Sequence, residues 1–417
     1  MPGPMEGVRV VELGVWVAGP AAAGILCDWG ADVIKIEPEE GDPFRGLMAL
    51  LNAGPVANPA FELDNRGKRS LSLNLRSEEG QAIARSLVER ADVFISNMRP
   101  AALVRLGLDY ESLRPLNPRQ IYCQITGYGP EGEDRDRATF DVGAFWSRAG
   151  IADLLTPPNR ENAYPLQRGG MGDHNAGAQA AGAISAALFH RERTGEGQRV
   201  AVSLARTGAY TIGWDLNMAL RLDVDVRAYD RLSFPNPLIL PYQCADGRSI
   251  WLLMLQGDRH WPDFCRAVGH EEWMSDLRFT TLMDRATNSA ALVEAIDAVM
   301  AAKSVAEWSA IFDREDVWFA PVQTVFEAAH DPVMEAAGAF VDVPFPDGPV
   351  RMVATPMDFY GTPWQPRGPA PELGQHTEEI LLELGFDWDR IIQLKEGGVI
   401  PGWRCNIALQ RSRATGL

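Results

Sequence analysis

The sequence predicts an α/β protein whose N-terminal part is an open parallel sheet. Short apolar runs alternate there with helical patterns, and this alternation is typical of strand–helix–strand units. The chain of 417 residues is also longer than one hydrophobic core usually supports, so about two domains are expected. Near residue 226 the sequence pattern changes to segments interrupted by prolines, followed by a hairpin pattern and short helices. This change indicates where a second domain begins.

The first strand–helix–strand unit lies close to the N-terminus. Residues 8–13 are an apolar run suited to a buried strand, a helix is predicted near 21–29, and residues 32–37 form the next strand. Ser77 is expected to cap a second helix that runs to about Arg90, because two acidic residues follow it in the first turn.

Two further strands, residues 92–96 and 120–126, extend the predicted sheet. Ligands of open α/β sheets bind beyond the carboxyl ends of the strands, so the turn after the first strand, residues 14–20, is a candidate binding position. This turn does not match the GxGxxG pattern, and Pro20 is expected to begin a helix there. A dinucleotide site is therefore only weakly indicated.

The remaining elements follow from the same local rules. Ser203 is expected to cap a long helix through Arg221, and residues 242–254 predict a β-hairpin with an Asp-Gly turn. The chain over 331–363 is proline-rich and predicted to be extended. Further helices are predicted over residues 259–268, 289–302, 304–314 and 374–385.

Composition argues against several classes of function. A net charge of −17 disfavours a nucleic-acid partner, because phosphate binding needs a basic face. No apolar run is long enough for a membrane span, and the N-terminus lacks the pattern of a secretory signal. Scattered cysteines without a CxxC pair, and histidines that do not cluster, predict reduced thiols in the cytoplasm and no metal site. The five cysteines are Cys27, Cys123, Cys244, Cys265 and Cys405.

Asp173 is the most informative single residue. It stands in Gly-Gly-Met-Gly-Asp-His-Asn-Ala-Gly, just before a run of small residues that predicts a helix over about 175–190. One interpretation is a helix cap, because an aspartate oxygen accepts hydrogen bonds from the amides of the first turn. The other is a nucleophile, because the glycines leave room for a ligand and an ionised aspartate can attack an activated acyl group.

Seven stretches of the sequence, in the same order, resemble the class III CoA-transferase family. This family includes formyl-CoA:oxalate and carnitine CoA-transferases and the related α-methylacyl-CoA racemases. The resemblance covers roughly residues 5–390 and rests on GVRVVELGVWVAGPAAAGILCDWGADVIKIEPEEGDPFR, NRGKRSLSLNL, ADVFISNMRPAALVRLGLDY, LNPRQIYCQITGYGPEG, MGDHNAG, RTGEGQRVAVSL and LGQHTEEIL.

The resemblance implies a fold and an assembly. Family members are homodimers in which each subunit forms an open ring and the two rings interlock. A large Rossmann-like domain is built from both ends of the chain, and a smaller α+β domain comes from the middle. For this chain that implies a large CoA-binding domain over 1–205, a helical linker over 206–225, a small domain over 226–330 and a return to the large domain over 331–417.

The resemblance also implies a reaction. Asp173 occupies the place of the family's catalytic aspartate, so CoA would pass from an acyl-CoA donor to a carboxylic acid through an aspartyl-CoA thioester on this residue. Coenzyme A is then a substrate, and neither a permanently bound cofactor nor a metal is implied. The positions that match CoA-contacting residues of the family are Ala18, Leu73, Arg76, Asn97, Met98, Arg105 and Leu106.

Some of these basic residues have plainer interpretations. Taken alone, Arg76 and Arg105 would be solvated charges at helix ends. The pair Lys68 and Arg69 either helps to hold CoA or only supports the strand that it introduces.

Several positions depart from the family pattern. Val17 stands where formyl-CoA:oxalate CoA-transferase has an active-site glutamine, Pro38 where it has a basic residue for CoA, and Ala138 where it has a lysine. Residues 255–258, Leu-Gln-Gly-Asp, lack that enzyme's glycine-rich loop. These changes argue against oxalate as the acid, and Arg45 is a candidate to replace the charge missing at position 38.

A racemase of the same superfamily and a CoA-binding protein without catalysis are the alternative functions. Racemases pair their aspartate with a histidine, but Phe140 stands at that position here, and phenylalanine cannot carry a proton. Asp141 either matches an acidic position near the transferase active site or is a buried structural carboxylate. An intact Asp173 disfavours the non-catalytic alternative.

The acids exchanged are open at this stage. Residues 151–168 are expected to reach the pocket, and Trp146, Tyr164 and Arg168 are candidates to shape it. An arginine near the acyl group would suit a dicarboxylic acid such as succinate, whereas aromatic residues would suit a larger organic acid.

Overall fold

The structure is a computed structural model, and it describes residues 3–50, 57–158 and 163–402. The chain divides into two compact units, of which the first contains residues 1–152, 166–224 and 338–417 and the second contains 153–165 and 225–337. The chain thus contributes two segments to the second unit, whereas the division based on the sequence has a single middle segment over 226–330. The return to the first unit comes at 338 rather than 331.

The first unit contains a parallel sheet of six strands: β1 (Arg9–Leu13), β2 (Asp32–Glu37), β3 (Arg69–Ser72), β4 (Val93–Ser96), β5 (Ile121–Thr126) and β6 (Gln198–Ser203). Their order is β3-β2-β1-β4-β5-β6, and every neighbouring pair is parallel. The predicted parallel α/β sheet is therefore confirmed. The order reverses between β1 and β4, and sheets of this kind bind ligands at such a reversal, beyond the carboxyl ends of the strands.

Both faces of the central strands of this sheet are buried. Successive side chains of a strand point to opposite faces, so Val10 and Val33 join one core cluster while Val11 and Ile34 join another. The central strands are largely buried, although Glu12 of β1 and Lys35 of β2 are charged side chains within the sheet.

Helices follow most of these strands, as the alternation in the sequence predicts. Ser77 caps its helix as expected, because its hydroxyl accepts a hydrogen bond from the Gly80 amide at 3.0 Å. A π-helical segment, Val142–Arg148, lies between β5 and β6. The α-helices are α1 (Ala18–Asp28), α2 (Leu47–Leu50), α3 (Pro59–Asn65), α4 (Glu78–Glu89), α5 (Pro100–Leu106), α6 (Tyr110–Leu113), α7 (Ile151–Leu154), α8 (Met171–Thr194), α9 (Leu204–Thr211), α10 (Gly213–Leu222), α11 (Gly257–Val268), α12 (Leu282–Thr287), α13 (Ser289–Met300), α14 (Val305–Arg314), α15 (Val325–Ala328), α16 (Pro332–Ala336), α17 (Thr377–Glu383) and α18 (Trp388–Glu396).

Small residues let α1 and α8 pack closely. Every residue of α1 is buried. A Cβ atom added to Gly177 of α8 would lie 2.8 Å from the Cβ of Ala21, closer than real side chains approach. Glycine is therefore required there, and the contact fixes α8 against the helix that follows the first strand.

The second unit contains an antiparallel sheet of β7 (Pro241–Gln243), β8 (Ser249–Leu252) and β9 (Phe319–Pro321). The predicted hairpin with an Asp-Gly turn is confirmed, and Gly247 has a left-handed φ of 76°. The three helices predicted after this hairpin correspond to α11, α13 and α14. Their apolar side chains form a separate core that includes Phe264, Trp308 and Phe312.

Two predictions about the course of the chain are wrong in part. Ser203 caps a helix, but that helix ends at Thr211, and Ile212 separates it from α10 with φ −105° and ψ 32°. Two β-branched residues followed by Gly213 weaken the helix at this point. The segment 331–363, predicted to be extended, begins with the short helix α16, whereas its hairpin of β10 (Phe340–Phe345) and β11 (Gly348–Val353) is extended as predicted.

Two findings concern membrane spans and thiols. In the described parts of the chain, none of the helices has the length and apolar character needed to cross a membrane. Cys27, Cys123, Cys244 and Cys265 are free and buried, and Cys405 lies outside the described residues.

Candidate active site

A cavity of about 480 Å³ lies at the reversal of strand order in the first unit. Its walls come from the β1–α1 turn, the β4–α5 turn, the end of β5 and the segment before the π-helical turn, together with Asp173 and Leu204. The position agrees with the rule for open parallel sheets, and the cavity contains the candidate nucleophile.

Asp173 is not the cap of α8, so that interpretation is wrong. The helix begins at Met171, after Gly170 in the left-handed region with φ 80°, and Asp173 is its third residue. The carboxylate that serves the start of this helix is Asp141, whose Oδ2 accepts hydrogen bonds from the Gly172 amide at 3.2 Å and from Gln167 Nε2 at 3.0 Å. Asp141, which is distant in the sequence, thus accepts the hydrogen bond at the start of α8. The side chain of Asp173 is not needed for that role and lines the cavity.

The glycine before Asp173 is required by packing. A Cβ on Gly172 would lie 2.6 Å from Cγ of Phe145, which belongs to the π-helical segment. The ring therefore rests on the first turn of α8, and together with the Asp141 hydrogen bond it fixes the backbone that carries Asp173.

The surroundings of Asp173 oppose its ionisation. Burial, followed by the charges of Asp141 and Asp64, raises the pKa of this carboxyl to about 7, although His174 acts in the opposite direction. A carboxyl group with a pKa in this range is a candidate functional group, because catalytic sites often contain acids shifted in this way.

His174 pairs with a buried carboxylate. Its Nε2 lies 3.0 Å from Oδ1 of Asp64 in α3, and Asp64 is 3% exposed. Burial disfavours the imidazolium, but the hydrogen bond and the charge of Asp64 outweigh it and raise the pKa of His174. His174 is therefore a positively charged neighbour of the candidate nucleophile over a wider pH range than a free histidine.

The β1–α1 turn is held in an unusual conformation. Trp16 has a φ of 63°, a left-handed conformation that costs a residue with a side chain on the order of 1–3 kcal/mol. The Trp16 amide donates to Oδ1 of Asp42 at 3.0 Å. The side-chain amide of Asn97 accepts from the Val15 amide at 3.0 Å and donates to the Val15 carbonyl at 2.7 Å.

A buried ionic network supports this turn. Lys35 Nζ lies 2.7 Å from Glu12 Oε1 and 3.0 Å from Asp42 Oδ2, and Lys68 Nζ lies 2.6 Å from Glu12 Oε2. Burial disfavours the Glu12 carboxylate, but the two lysines outweigh it and lower its pKa. Removing one partner of such a network leaves an uncompensated buried charge, which costs about 3–5 kcal/mol. The network therefore fixes Asp42, and Asp42 fixes Trp16.

Ion pairs with acidic side chains account for three basic residues that the sequence offers as CoA contacts. Lys68 is buried against Glu12, and Arg69 pairs with Asp32 at 2.7 Å and with Glu383 at 2.7 Å. Arg45 makes two hydrogen bonds to Glu37 and does not line the cavity, so its charge is already paired, and its replacement of the charge missing at position 38 stays a prediction.

Four arginines line the cavity: Arg99, Arg105, Arg135 and Arg137. Arg135 Nε lies 3.2 Å from Asp136, and Arg137 lies 3.3 Å from Asp134. The sequence pointed only to Arg105. The signal that could have found the others is the placement of Arg99 just after β4 and of Arg135 and Arg137 in the loop after β5, since such loops meet at one edge of the sheet.

The structure brings together four of the seven predicted CoA contacts. Ala18, Asn97, Met98 and Arg105 line the cavity. The other three lie elsewhere: Leu73 is fully buried in the second core cluster, Leu106 packs against that cluster, and Arg76 is exposed before α4. A contact of Leu73 with CoA would have to come from its backbone, and the assignment of these three residues stays a prediction.

The residues predicted to shape the acyl pocket do not line this cavity. Trp146 is buried in the first core cluster, Arg168 is exposed just before α8, and Tyr164 belongs to the second unit. Residues 159–162 of the same segment lie outside the described residues. Trp16 and Phe140, which the sequence did not assign to the acyl pocket, line the cavity instead.

Across the described residues, no group of three or more histidine, cysteine, aspartate or glutamate side chains is arranged to hold a metal ion. The groups that line the cavity include the carboxyl groups of Asp173 and Asp136, four arginines, and both polar and apolar side chains. This set suits an anionic ligand with an electrophilic centre that the carboxylate can attack.

Comparison with known proteins identifies the family. The sequence profile of CoA-transferase family III matches residues 5–377. The chain is 34% identical over 399 residues to an (R)-2-hydroxy-4-methylpentanoate CoA-transferase of Clostridioides difficile (95% of this chain, 99% of the relative), and 33% identical over 402 residues to a cinnamoyl-CoA:phenyllactate CoA-transferase of Clostridium sporogenes (94% and 96%). A solved structure of a CAIB/BAIF family protein from Brucella suis matches with a TM-score of 0.80 at 32% identity, covering 92% of this chain and 100% of that chain. The chain belongs to CoA-transferase family III.

Proposed function

We propose that this protein moves CoA from an acyl-CoA donor to a carboxylic acid through an aspartyl-CoA thioester on Asp173. The observation that carries the proposal is the placement of the Asp173 carboxyl in one cavity with four arginines. Arginines suit the phosphates of CoA, and a carboxylate suits its thioester. The names of the relatives as CoA-transferases support the same reaction class.

In the first half of the reaction, the Asp173 carboxylate attacks the carbonyl carbon of the acyl thioester. The carbon–sulfur bond breaks, the CoA thiolate departs, and a mixed anhydride joins Asp173 to the acyl group. The thiolate then attacks the aspartyl carbonyl of that anhydride. The donor acid leaves as a carboxylate, and the aspartyl-CoA thioester remains.

The second half runs the same steps in reverse with a different acid. The acceptor carboxylate attacks the aspartyl thioester and releases the thiolate, which then attacks the acceptor's acyl carbon in the new anhydride. Asp173 is regenerated as a carboxylate. One thioester replaces another, so the exchange needs no energy source such as ATP, but the anhydride must be kept from water.

The raised pKa of Asp173 fits this role. A carboxylate that holds its proton up to about pH 7 is more basic than an ordinary aspartate, and greater basicity makes it a better nucleophile. The cost is that a fraction of the enzyme carries the inactive acid at neutral pH. The position in the first turn of α8 adds the positive end of the helix dipole, which stabilises the ionised form when it reacts.

The alternative functions have less support. A racemase of this superfamily needs a second proton carrier opposite the aspartate, and the cavity presents Phe140 at the position of the histidine. His174 does not take its place, because its ring is bonded to Asp64 and does not line the cavity. A CoA-binding protein without catalysis would not need a carboxyl group with a raised pKa in the ligand cavity.

The assembly is proposed to be the interlocked homodimer that the family resemblance implies. Large apolar side chains on α9 and α10 support burial against another subunit: Tyr210 and Trp214 are each 82% exposed, and Leu220 is 80% exposed. A monomer rarely leaves such a row of apolar side chains in water.

The test of the proposed reaction is chemical trapping. Incubation of the protein with an acyl-CoA and hydroxylamine should release CoA and convert Asp173 to a hydroxamate, which mass spectrometry of the peptide that contains Asp173 detects. Asp173→Asn should bind acyl-CoA with a Kd within about threefold of the parent and lose transfer by roughly 10⁴-fold or more. Substantial transfer by this variant, or a trapped adduct at another residue, would show the assignment to be wrong.

A further inference from the structure

We propose that the acid exchanged by this protein carries an uncharged apolar group, aromatic or branched, and that Trp16 and Phe140 receive it. The inference rests on the proposed function, because it takes Asp173 as the point of attachment. It concerns the part of the cavity that surrounds the reacting carbonyl rather than the part that holds the nucleotide.

Trp16 and Phe140 form an aromatic pair on the cavity wall. Their ring centroids are 5.7 Å apart and the planes meet at 85°, the edge-to-face arrangement that aromatic pairs prefer. The two residues come from different segments, the β1–α1 turn and the segment before the π-helical turn, and both line the cavity that contains Asp173. Phe140 is 60% exposed, so much of its ring surface is available for contact with a substrate.

This aromatic pair lies next to the turn of α8 that carries Asp173. Val17, which follows Trp16, brings its Cγ1 to 3.7 Å from the position of a Cβ on Gly170. Asp141, which follows Phe140, accepts the hydrogen bond from the Gly172 amide at 3.2 Å. An acyl group attached to Asp173 therefore begins between the two segments that carry the rings.

The backbone at Trp16 points to a use for its side chain. Glycine would take a φ of 63° without strain, yet a tryptophan occupies the position and Asp42 holds its amide at 3.0 Å. The indole also packs on Phe44, with centroids 6.0 Å apart, so its orientation is fixed before a substrate arrives. A strained, pre-positioned indole in a ligand cavity is a binding surface for apolar groups.

Charge near Asp173 disfavours a second carboxylate on the substrate. Asp141 and Asp64 already act on Asp173 as like charges. Of the cavity's arginines, Arg135 and Arg137 pair with acidic neighbours, and Arg99 and Arg105 belong to the β4–α5 region. The distal carboxylate of a succinyl group would face aromatic rings and acidic side chains, whereas a phenyl or branched alkyl group would bury apolar surface there.

The experiment measures the first half-reaction with a panel of donors. Hydroxylamine trapping under single-turnover conditions gives the second-order rate constant of adduct formation at Asp173 for 3-phenylpropionyl-CoA, 4-methylpentanoyl-CoA, succinyl-CoA and acetyl-CoA. We expect the better of the two apolar donors to exceed succinyl-CoA by at least about tenfold. A trapped adduct at Asp173 with any donor supports the proposed reaction, so a failure of that reaction and a failure of this inference are separate results.

Two variants assign the preference to the aromatic pair. Trp16→Gly suits the left-handed backbone and Phe140→Ala changes an exposed ring, so both should fold, and each should lower the ratio of apolar to succinyl donor by about tenfold. Tyr360→Ala, which removes an aromatic ring that is 97% exposed and does not line the cavity, is the matched control and should leave the ratio unchanged. Equal or better use of succinyl-CoA by the parent, or an unchanged ratio in both cavity variants, would overturn the inference.

Discussion

At the scale of single residues, Asp173 ionises in surroundings that oppose its charge, and this sets the pH range in which it can act. The reactive form is the carboxylate, so raising the pKa to about 7 leaves mostly the unreactive acid below that pH. The kcat/KM of the half-reaction should therefore rise about tenfold per pH unit below pH 7 and level off above about pH 8. Stopped-flow or quench measurements between pH 5.5 and 9 with one acyl-CoA would give this profile.

Two substitutions separate the enzyme's titration from that of the substrate, whose phosphate monoester also titrates near pH 6. Asp141→Asn removes a like charge, so it should move the midpoint of the profile to lower pH. His174→Gln removes a positive charge that favours the carboxylate, so it should move the midpoint to higher pH. Shifts in the same direction, or no shift in either variant, would contradict this account of the Asp173 environment.

The arginines of the cavity define a second prediction at this scale. Arg105→Ala should raise KM for acyl-CoA by about tenfold with little change in kcat, because a phosphate contact is made equally in the ground state and the transition state. Arg76→Ala is the matched comparison, since Arg76 is exposed and does not line the cavity. If Arg76→Ala raises KM and Arg105→Ala does not, CoA binds outside this cavity.

At the scale of elements, the packing of α8 on α1 depends on one glycine. Gly177→Ala would place a methyl group 2.8 Å from Cβ of Ala21, and overpacking of this kind should lower the free energy of unfolding by about 1–3 kcal/mol. Gly182→Ala, five residues further along the same helix, meets nothing within 4 Å and should stabilise by up to about 1 kcal/mol. Denaturant unfolding of both variants checks the pair. Equal effects of the two changes would mean that the α1–α8 contact is not as close as described.

The elements predicted from the sequence are those that local patterns determine. Residues 32–37 are a strand because their apolar run is bounded by a glycine turn and charged residues, and Ser77 caps α4 because the acceptor and the amide are three residues apart. The helix α8 begins four residues before the predicted start, and the acid that accepts a hydrogen bond from its first turn is Asp141, more than thirty residues earlier in the sequence. The local sequence favours Asp173 as the residue that accepts hydrogen bonds at the helix start. Only the folded structure shows that Asp141 takes this role.

The same distinction applies to the candidate site. Asp173 could be proposed as the nucleophile from its glycine-rich surroundings and the family resemblance. The ion pairs of Arg45 and Lys68 could not be predicted from the sequence. Their partners Glu37 and Glu12 are far from them along the chain or unmarked by any motif, and only the folded sheet brings them together. Nor does the sequence indicate the left-handed backbone of Trp16, which the hydrogen bond to Asp42 holds in place.

At the scale of the whole molecule, charge is distributed unevenly. The chain has a net charge of −17, yet four arginines line one cavity. Negative charge over the rest of the molecule repels polyanions such as nucleic acids, while the local arginines attract an anion small enough to enter the cavity. This arrangement favours an anion of the size of CoA over a polyanion as the ligand of the cavity.

The proposed interlocked assembly makes a prediction that an ordinary dimer does not. Two linked rings cannot separate unless one chain opens, so the particle should have twice the 45.8 kDa mass of one chain at every concentration at which it is folded. A side-by-side dimer with a micromolar Kd would dissociate on dilution to nanomolar concentration. Mass photometry at about 10 nM and light scattering at about 10 μM should therefore give the same mass.

Subunit exchange is a second test of the linked rings. Two differently tagged preparations, mixed as folded proteins, should not exchange subunits over a day, but should do so after unfolding and refolding together. Monomers at either concentration, or exchange between folded proteins within minutes, would refute the linked arrangement while leaving the chemistry of Asp173 untouched.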